Sequence, residues 1–442
     1  MQRCRSLKGE SSMTKMINVL VYPADTEIGL EINNALKYVK FIHLVGASPT
    51  HRHGRFVYRE FIGNLDETDD TRLLQQFNDL IETHQIELIF PASDQMALFF
   101  ATYEDKLNAT VIGSDRVTNE IARSKRLTSE FFADDGILPT YYPTPEQVDA
   151  FPVFVKPVIG AGSEGASVVH SREELDHKLA DGEDYLITEY LPGHEYTVDC
   201  FTDRFGKLCF TGFRERRRVK GGISVNSVAL AIPAAVRAIA TIVNRKLNLR
   251  GVWFFQVKQN TRGEYRMMEV ATRVAGTMCL HRGQGVNLPL LSIYDRLNYP
   301  IQIQQNAYHI EVDRALSNKY QLSVEYGTLV IDFDDTITLK GQINPLVMYL
   351  LYQVKNRQIP IVLLTRHQHD LAMTLARYHV DPQLFDQIHH VTRQTSKGAI
   401  VAQYANPIFI DDSFAERDNV LEEVGCPVFD VAAVEGLIDW HA

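Results

Sequence analysis

The chain has 442 residues, enough for about three domains at roughly 150 residues each. Apolar residues make up 45% and charged residues 23%, with 26 Gly and 17 Pro, which excludes disordered and fibrous classes and allows a sizeable core. A net charge of −10 argues against a general electrostatic grip on nucleic acid or an anionic membrane, so any phosphate site must be local.

The polar opening MQRCRSLKGESSMTK lacks the apolar core of a signal peptide and reads as a loose tail. No apolar run reaches the ~20 residues that cross a bilayer. The five cysteines, Cys4, Cys200, Cys209, Cys279 and Cys426, are odd in number and show no Cys-x-x-Cys spacing. That argues against a disulfide framework and a structural zinc site, and a cytoplasmic protein is expected.

INVLVYPA over 17–24 is a buried-strand pattern, followed by Ile28, Ile32, Ala35, Leu36 and Val39 at helical spacing. FIHLV from Phe41 and IELIF from Ile86 repeat the strand pattern, with a helical stretch over 71–83 between them. A parallel, helix-covered sheet is expected over 16–113. YPADTEIG after the first strand lacks the three-glycine turn of a dinucleotide site. In the nearby HRHG, His51 and His53 have no carboxylate or Cys at ligand spacing and read as loop residues. From 114 to about 310 the texture becomes α+β, with β-rich hairpins and helices over 124–135 and 234–246. A polar stretch over 311–326 reads as a joint. A second alternating segment over 327–442 predicts another parallel sheet, giving a multidomain α/β and α+β chain.

FPVFVKPVIGAGSEGASVV sets Lys156 at a strand end before Gly160, Gly162, Ser163 and Gly165. Such a turn brings backbone N–H groups against phosphate oxygens, although an ordinary hairpin has the same look. Lys125 opens a helix, LITEYLPGHEYTVD carries Glu189, Glu195 and Asp199, and FFQVKQNTRGEYRMMEVATR carries Gln256, Glu269 and Arg273. Glu269 with Gln256 can supply oxygens to Mg²⁺. The run RERRRVK carries Arg214 and Arg216 and also reads as a solvated hairpin.

At these residues the chain resembles the ATP-grasp superfamily of carboxylate ligases, over about 16–310 and including a preceding α/β domain over 16–113. The resemblance implies that Lys125 and Lys156 contact ATP phosphates under a loop carrying Gly160, Gly162, Ser163 and Gly165. Glu189, Tyr190 and Leu191 would line the adenine pocket and Glu195 would hold ribose. Gln256 and Glu269 would hold Mg²⁺, while Arg214, Arg216 and Arg273 would stabilise the acyl phosphate and the transferred phosphoryl group. Where the family reads Glu-x-Asn-x-Arg, this chain has Ala271, so Thr272, water or a weakly held second cation is expected instead. The resemblance also implies a homodimer.

VIDFDDTITLKG ends a buried strand with Asp332, Asp334 and Thr336. Neighbouring carboxylates at a strand end are costly unless a cation or hydrogen bonds compensate them. IVLLTR puts Thr365 at the next strand tip, TSKGAIV supplies Lys397, and PIFIDDS supplies Asp411 and Asp412. Open α/β sheets bind ligands where such strand ends converge. This ordered set resembles the haloacid dehalogenase superfamily of phosphotransferases over 327–442, which implies a Rossmann-like phosphatase domain. Asp332 would be the nucleophile and Asp334 the general acid and base. Thr365 and Lys397 would hold phosphoryl oxygens, and Asp332, Asp334, Asp411 and Asp412 would surround Mg²⁺. The gaps between these motifs are too short for a cap domain.

The expectation is a bifunctional enzyme: an ATP- and Mg²⁺-dependent carboxylate–amine ligase joined to a phosphomonoesterase, both acting on small molecules and neither on nucleic acid or membrane. The alternative is a nucleotide-sensing, inert ATP-grasp module that regulates the phosphatase.

Overall fold

The strand Ile17–Tyr22 feeds two cores: Val19 and Val21 pack on one face of its sheet, Leu20 and Tyr22 on the other. A strand buried on both faces needs cover on both sides. In the computed structural model, which describes residues 15–160 and 164–441, it is central in a parallel sheet ordered Glu60–Ile62, Ile42–Ala47, Ile17–Tyr22, Leu88–Pro91, Thr110–Val111. Helices Glu27–Leu36, Asp70–Thr83 and Asp94–Thr102 begin at Thr26, Asp69 and Ser93, whose side chains accept backbone N–H groups.

A six-stranded antiparallel sheet follows, ordered Tyr265–Ala271, Gly251–Gln259, Glu195–Thr202, Leu208–Lys220, Ile223–Leu230, Glu311–Asp313. One face packs on the amphipathic helix Ala234–Lys246 through Val236, Ile239 and Val243. From the other, Phe201 and Phe254 join Val19, Val21 and Leu36 in a single core. The first sheet is thus not a separate unit from the segment after 113. A smaller antiparallel sheet, ordered Tyr141–Tyr142, Tyr185–Glu189, Val153–Pro157, Ser167–Val169, completes this part.

The chain divides into two compact units between Leu316 and Ser317. The polar stretch that reads as a joint therefore begins inside the first unit. Glu311–Asp313 pairs with Asn226–Val228, and the Asp313 carboxylate accepts two bonds from Arg218, at 2.7 and 2.8 Å. Polarity misled because edge strands carry charge by preference.

The second unit is a parallel sheet ordered Gln387–His390, Ile361–Thr365, Thr328–Ile331, Pro407–Ile410, Val428–Phe429. The helices Pro345–Asn356, Leu371–Arg377, Lys397–Val401 and Phe414–Val424 accompany it. Leu329 and Ile331 point into one core and Val330 into another. No helix among the described residues is long and apolar enough to cross a membrane.

Gly29 shows how tightly the first helix sits on the loop before it: a Cβ there would meet the carbonyl oxygens of Pro23 and Ala24 at 2.6 and 2.7 Å. Backbone cannot yield as a side chain does, so Gly29→Ala is expected to destabilise by about 1–3 kcal/mol in urea denaturation. Gly113, where a Cβ meets nothing within 4 Å, is the control. Gly113→Ala should be neutral or stabilising by about 0.4–1 kcal/mol.

Candidate active sites

In the first unit, one cavity lies between the small sheet and the six-stranded sheet. Lys156, on the strand Val153–Pro157, is buried in its wall and donates to the Met268 carbonyl at 3.1 Å. Burial lowers its ammonium to about 8, against the opposing pull of Glu269. Lys125 opens the helix Lys125–Phe131 and donates to the Gly160 carbonyl at 2.8 Å. Burial lowers it too, with Glu269 and Asp94 acting the other way. A buried ammonium beside a second, partly buried one is a costly arrangement that an anion would relieve.

Gln256 and Glu269 stand directly opposite each other on adjacent strands, so both side chains leave the same face. Glu189, Tyr190 and Leu191 line the same cavity, as do Glu195 and Arg216. Arg216 donates to Glu195, to Gln256 Oε1 at 2.6 Å and to the Gly222 carbonyl at 2.7 Å. Its Nε is buried with no hydrogen-bond partner among the described residues. Such an orphaned donor suits a phosphate oxygen. Glu195, expected at a ribose, thus carries Arg216 as well. Gly162 and Ser163 lie outside the described residues. Gly165 adopts φ of +71°, and a Cβ there would meet Pro157 at 2.9 Å.

A second crevice adjoins this cavity and shares Lys125, Arg216, Gln256 and Glu269 with it. Arg214 and Arg273 line it, each already held by a carboxylate. Arg214 is fully buried and donates to Asp199 at 2.6 and 3.3 Å, while His281 contacts the same carboxylate at 3.0 Å. Burial alone would raise Asp199, but Arg214 and His281 outweigh it and bring the carboxyl to about 2. Arg273 donates twice to Asp94, both at 2.8 Å. Asp94 and His281 escaped the sequence reading, since each acts through a partner far along the chain. Thr272 does not stand in for the missing metal ligand. Its hydroxyl is hydrogen-bonded to buried Asn119, while Ala271 lines the crevice with Glu269. Strand side chains alternate, so Ala271, the last residue of its strand, shares the face of Glu269.

In the second unit, Asp332 follows the strand Thr328–Ile331 and Asp411 follows Pro407–Ile410, with Lys397 opening a helix between them. The Lys397 ammonium, almost fully buried, donates to Asp332 and to Asp411, both at 2.7 Å. Asp332, Asp411 and Asp412 offer carboxylate oxygens all within 4.8 Å of one another, and no other such group of three occurs among the described residues. Burial raises Asp332 to about 7; Lys397 opposes the rise, and Asp411 adds to it. Asp411 and Asp412 are raised as well, first by burial. Hard oxygen donors crowded into repulsion fit a divalent cation such as Mg²⁺, which would relieve the strain. Thr365, buried at the tip of the next strand, accepts the backbone N–H of His367 at 3.2 Å.

Asp334 is not part of the acidic group, contrary to its expected role as a metal ligand. It is half exposed, and its carboxylate oxygens lie 3.0 and 2.9 Å from His367 Nδ1. The strand has ended by this point and Asp335 takes φ of +54°, so the turn aims Asp334 elsewhere.

A family model described as ATP-grasp in the biosynthetic pathway with Ter operon matches residues 181–319. Over 121 residues the chain is 31% identical to the 3-methyl-D-ornithine–L-lysine ligase of Methanosarcina mazei, covering 27% of this chain and 30% of that protein. It therefore spans about a third of that relative's length. An L-amino acid ligase from Bacillus licheniformis superposes with a TM-score of 0.53 at 15% identity, over 64% of this chain and 74% of that one. The biotin carboxylase domain dimer of Hydrogenobacter thermophilus 2-oxoglutarate carboxylase, solved with MgADP, ADP and bicarbonate, gives 0.54 at 17% identity, over 66% and 72%. The first unit has the ATP-grasp fold. In this ATP-grasp unit, Lys125, Lys156, Gln256 and Glu269 converge on one cavity although they are scattered over more than a hundred positions.

Lys397→Met would leave Asp332 and Asp411 buried without their cation. Destabilisation of about 3–5 kcal/mol is expected in chemical denaturation of the full chain without Mg²⁺. A smaller loss with Mg²⁺ present would show that the cation replaces the ammonium.

Proposed function

We propose that this chain is a two-site enzyme: an ATP-dependent carboxylate–amine ligase in the first unit and a phosphomonoesterase of the haloacid dehalogenase type in the second. The convergence of two desolvated lysines, a cross-strand Gln256–Glu269 pair and the orphaned Nε of Arg216 on one cavity carries the ligase reading. A triphosphate is the ligand that uses all of them.

Lys125, Lys156 and Arg216 bind phosphate oxygens. Glu189, Tyr190 and Leu191 hold the adenine and Glu195 the ribose. Gln256 and Glu269 would hold Mg²⁺, which when bound neutralises phosphate charge. The substrate carboxylate attacks the γ-phosphorus and ADP leaves. An amine then attacks the carbonyl carbon of the acyl phosphate, loses a proton and expels phosphate. Arg214 and Arg273, fixed by Asp199 and Asp94, keep the adjoining crevice positive where the acyl phosphate forms.

In the second unit Asp332 attacks the phosphorus of a small phosphoester and becomes an aspartyl phosphate, while Asp334 gives a proton to the leaving alkoxide. Asp334 then takes a proton from the water that releases phosphate. Thr365 and Lys397 hold the phosphoryl oxygens. Asp332, Asp411 and Asp412 would hold Mg²⁺, which when bound polarises the phosphoryl group. Ala271 supports a second reading, a nucleotide-binding module without turnover that regulates the phosphatase.

Two single variants separate the sites. Lys156→Ala should weaken MgADP binding by tenfold or more in calorimetry, about 1.4 kcal/mol, and leave phosphoester hydrolysis intact. Asp332→Asn should abolish phosphate release from phosphoesters in the absence of ATP and leave ADP formation across amino-acid mixtures unchanged. ATP binding without ADP formation on any acid and amine would favour the regulatory reading.

A further inference from the structure

The acid in the second unit is poorly protected by its surroundings. Asp334 is half exposed, stands outside the acidic group and belongs to a turn with a left-handed residue beside it. A freely rotating carboxyl would spend little time facing a leaving oxygen, since proton transfer needs a donor within hydrogen-bond reach. One side chain removes that freedom. His367, two residues beyond Thr365, presents Nδ1 to both Asp334 oxygens, at 3.0 and 2.9 Å.

The imidazole is itself locked. Nε2 lies 2.8 Å from Thr374 Oγ1, and the Thr374 hydroxyl donates to the Asp370 carbonyl at 2.9 Å. That hydroxyl has one proton, already spent, so Nε2 donates and Nδ1 faces Asp334 alone. The ring meets Phe333 edge to face at 5.6 Å, and its side chain is only 8% exposed. The carboxyl thus sits at the end of a fixed series running from helix Leu371–Arg377 through Thr374 and His367.

We infer that His367 is a positioning residue for the phosphatase reaction, holding the Asp334 carboxyl toward the leaving oxygen. The inference rests on the phosphomonoesterase reading above. In the first step the Asp332 oxygen–phosphorus bond forms, the phosphorus–leaving-oxygen bond breaks, and the Asp334 proton passes to that oxygen. His367 keeps its own protons throughout. Its contribution must grow with the basicity of the leaving group, because a phenoxide with electron-withdrawing groups departs without help and an alkoxide does not.

The test uses the full-length chain with Mg²⁺ and a series of substrates from p-nitrophenyl phosphate through phenyl phosphate to ethyl phosphate. For His367→Ala the expected loss in kcat is about 100-fold on ethyl phosphate and several times smaller on p-nitrophenyl phosphate. His367→Asn, whose amide can stand where Nδ1 stands, should recover part of the ethyl phosphate rate. Thr374→Val should shift the same slope in the same direction by less. Equal loss on every substrate would mean that His367 merely supports the fold, and overturns the inference while Asp332-dependent hydrolysis persists. Absence of any phosphate release that Asp332→Asn removes overturns the phosphatase reading and the inference with it.

Discussion

One buried ammonium organises the second unit. Lys397 sits between Asp332 and Asp411 and touches both at 2.7 Å. Without it, two carboxylates from adjacent strands would face each other out of water, a state that proteins avoid by protonation or local unfolding. The first unit obeys the same constraint with the signs reversed, since Lys125 and Lys156 are desolvated and Glu269 is the anion that offsets them. Each unit gathers like charges at the ends of strands and helices and offsets them with opposite charge, Glu269 and Asp94 in the first and Lys397 in the second. The residual imbalance is positive in the first and negative in the second, which suits a triphosphate and a divalent cation respectively.

That constraint explains why the site residues stood out in the sequence. Charged groups at the ends of apolar strands have no role in a core, so Lys156, Asp332 and Asp411 were visible against runs such as PVFV, TLVI and PIFI. The alternation of strands and helices fixed the parallel sheets for the same reason, because a two-faced strand demands cover. The helix Ala234–Lys246 has the bounds that its periodicity predicts.

What escaped was pairing over distance. Asp94 holds Arg273 across the join between the two sheets of the first unit, and His281 reaches Asp199 from a short helix. Neither contact leaves a trace in spacing. The metal role of Asp334 came from the family resemblance alone, and spacing could not show that the chain turns at Asp335 and leaves Asp334 apart from the acidic group. Thr272 follows the last residue of its strand and spends its hydroxyl on Asn119, a partner 153 positions away that spacing does not reveal. The edge strand Glu311–Asp313 looked like a joint because its partner supplies the order that its composition lacks.

A two-site enzyme of this kind requires two independent oxygen-donor cation sites on one chain, one needing nucleotide and one not. Mn²⁺ binding followed by electron paramagnetic resonance tests it most directly. One Mn²⁺ per chain is expected without ADP, lost in Asp411→Asn, and a second with ADP, lost in Glu269→Gln, with neither variant touching the other site. A single Mn²⁺ under both conditions, or loss of both ions in either variant, would contradict it.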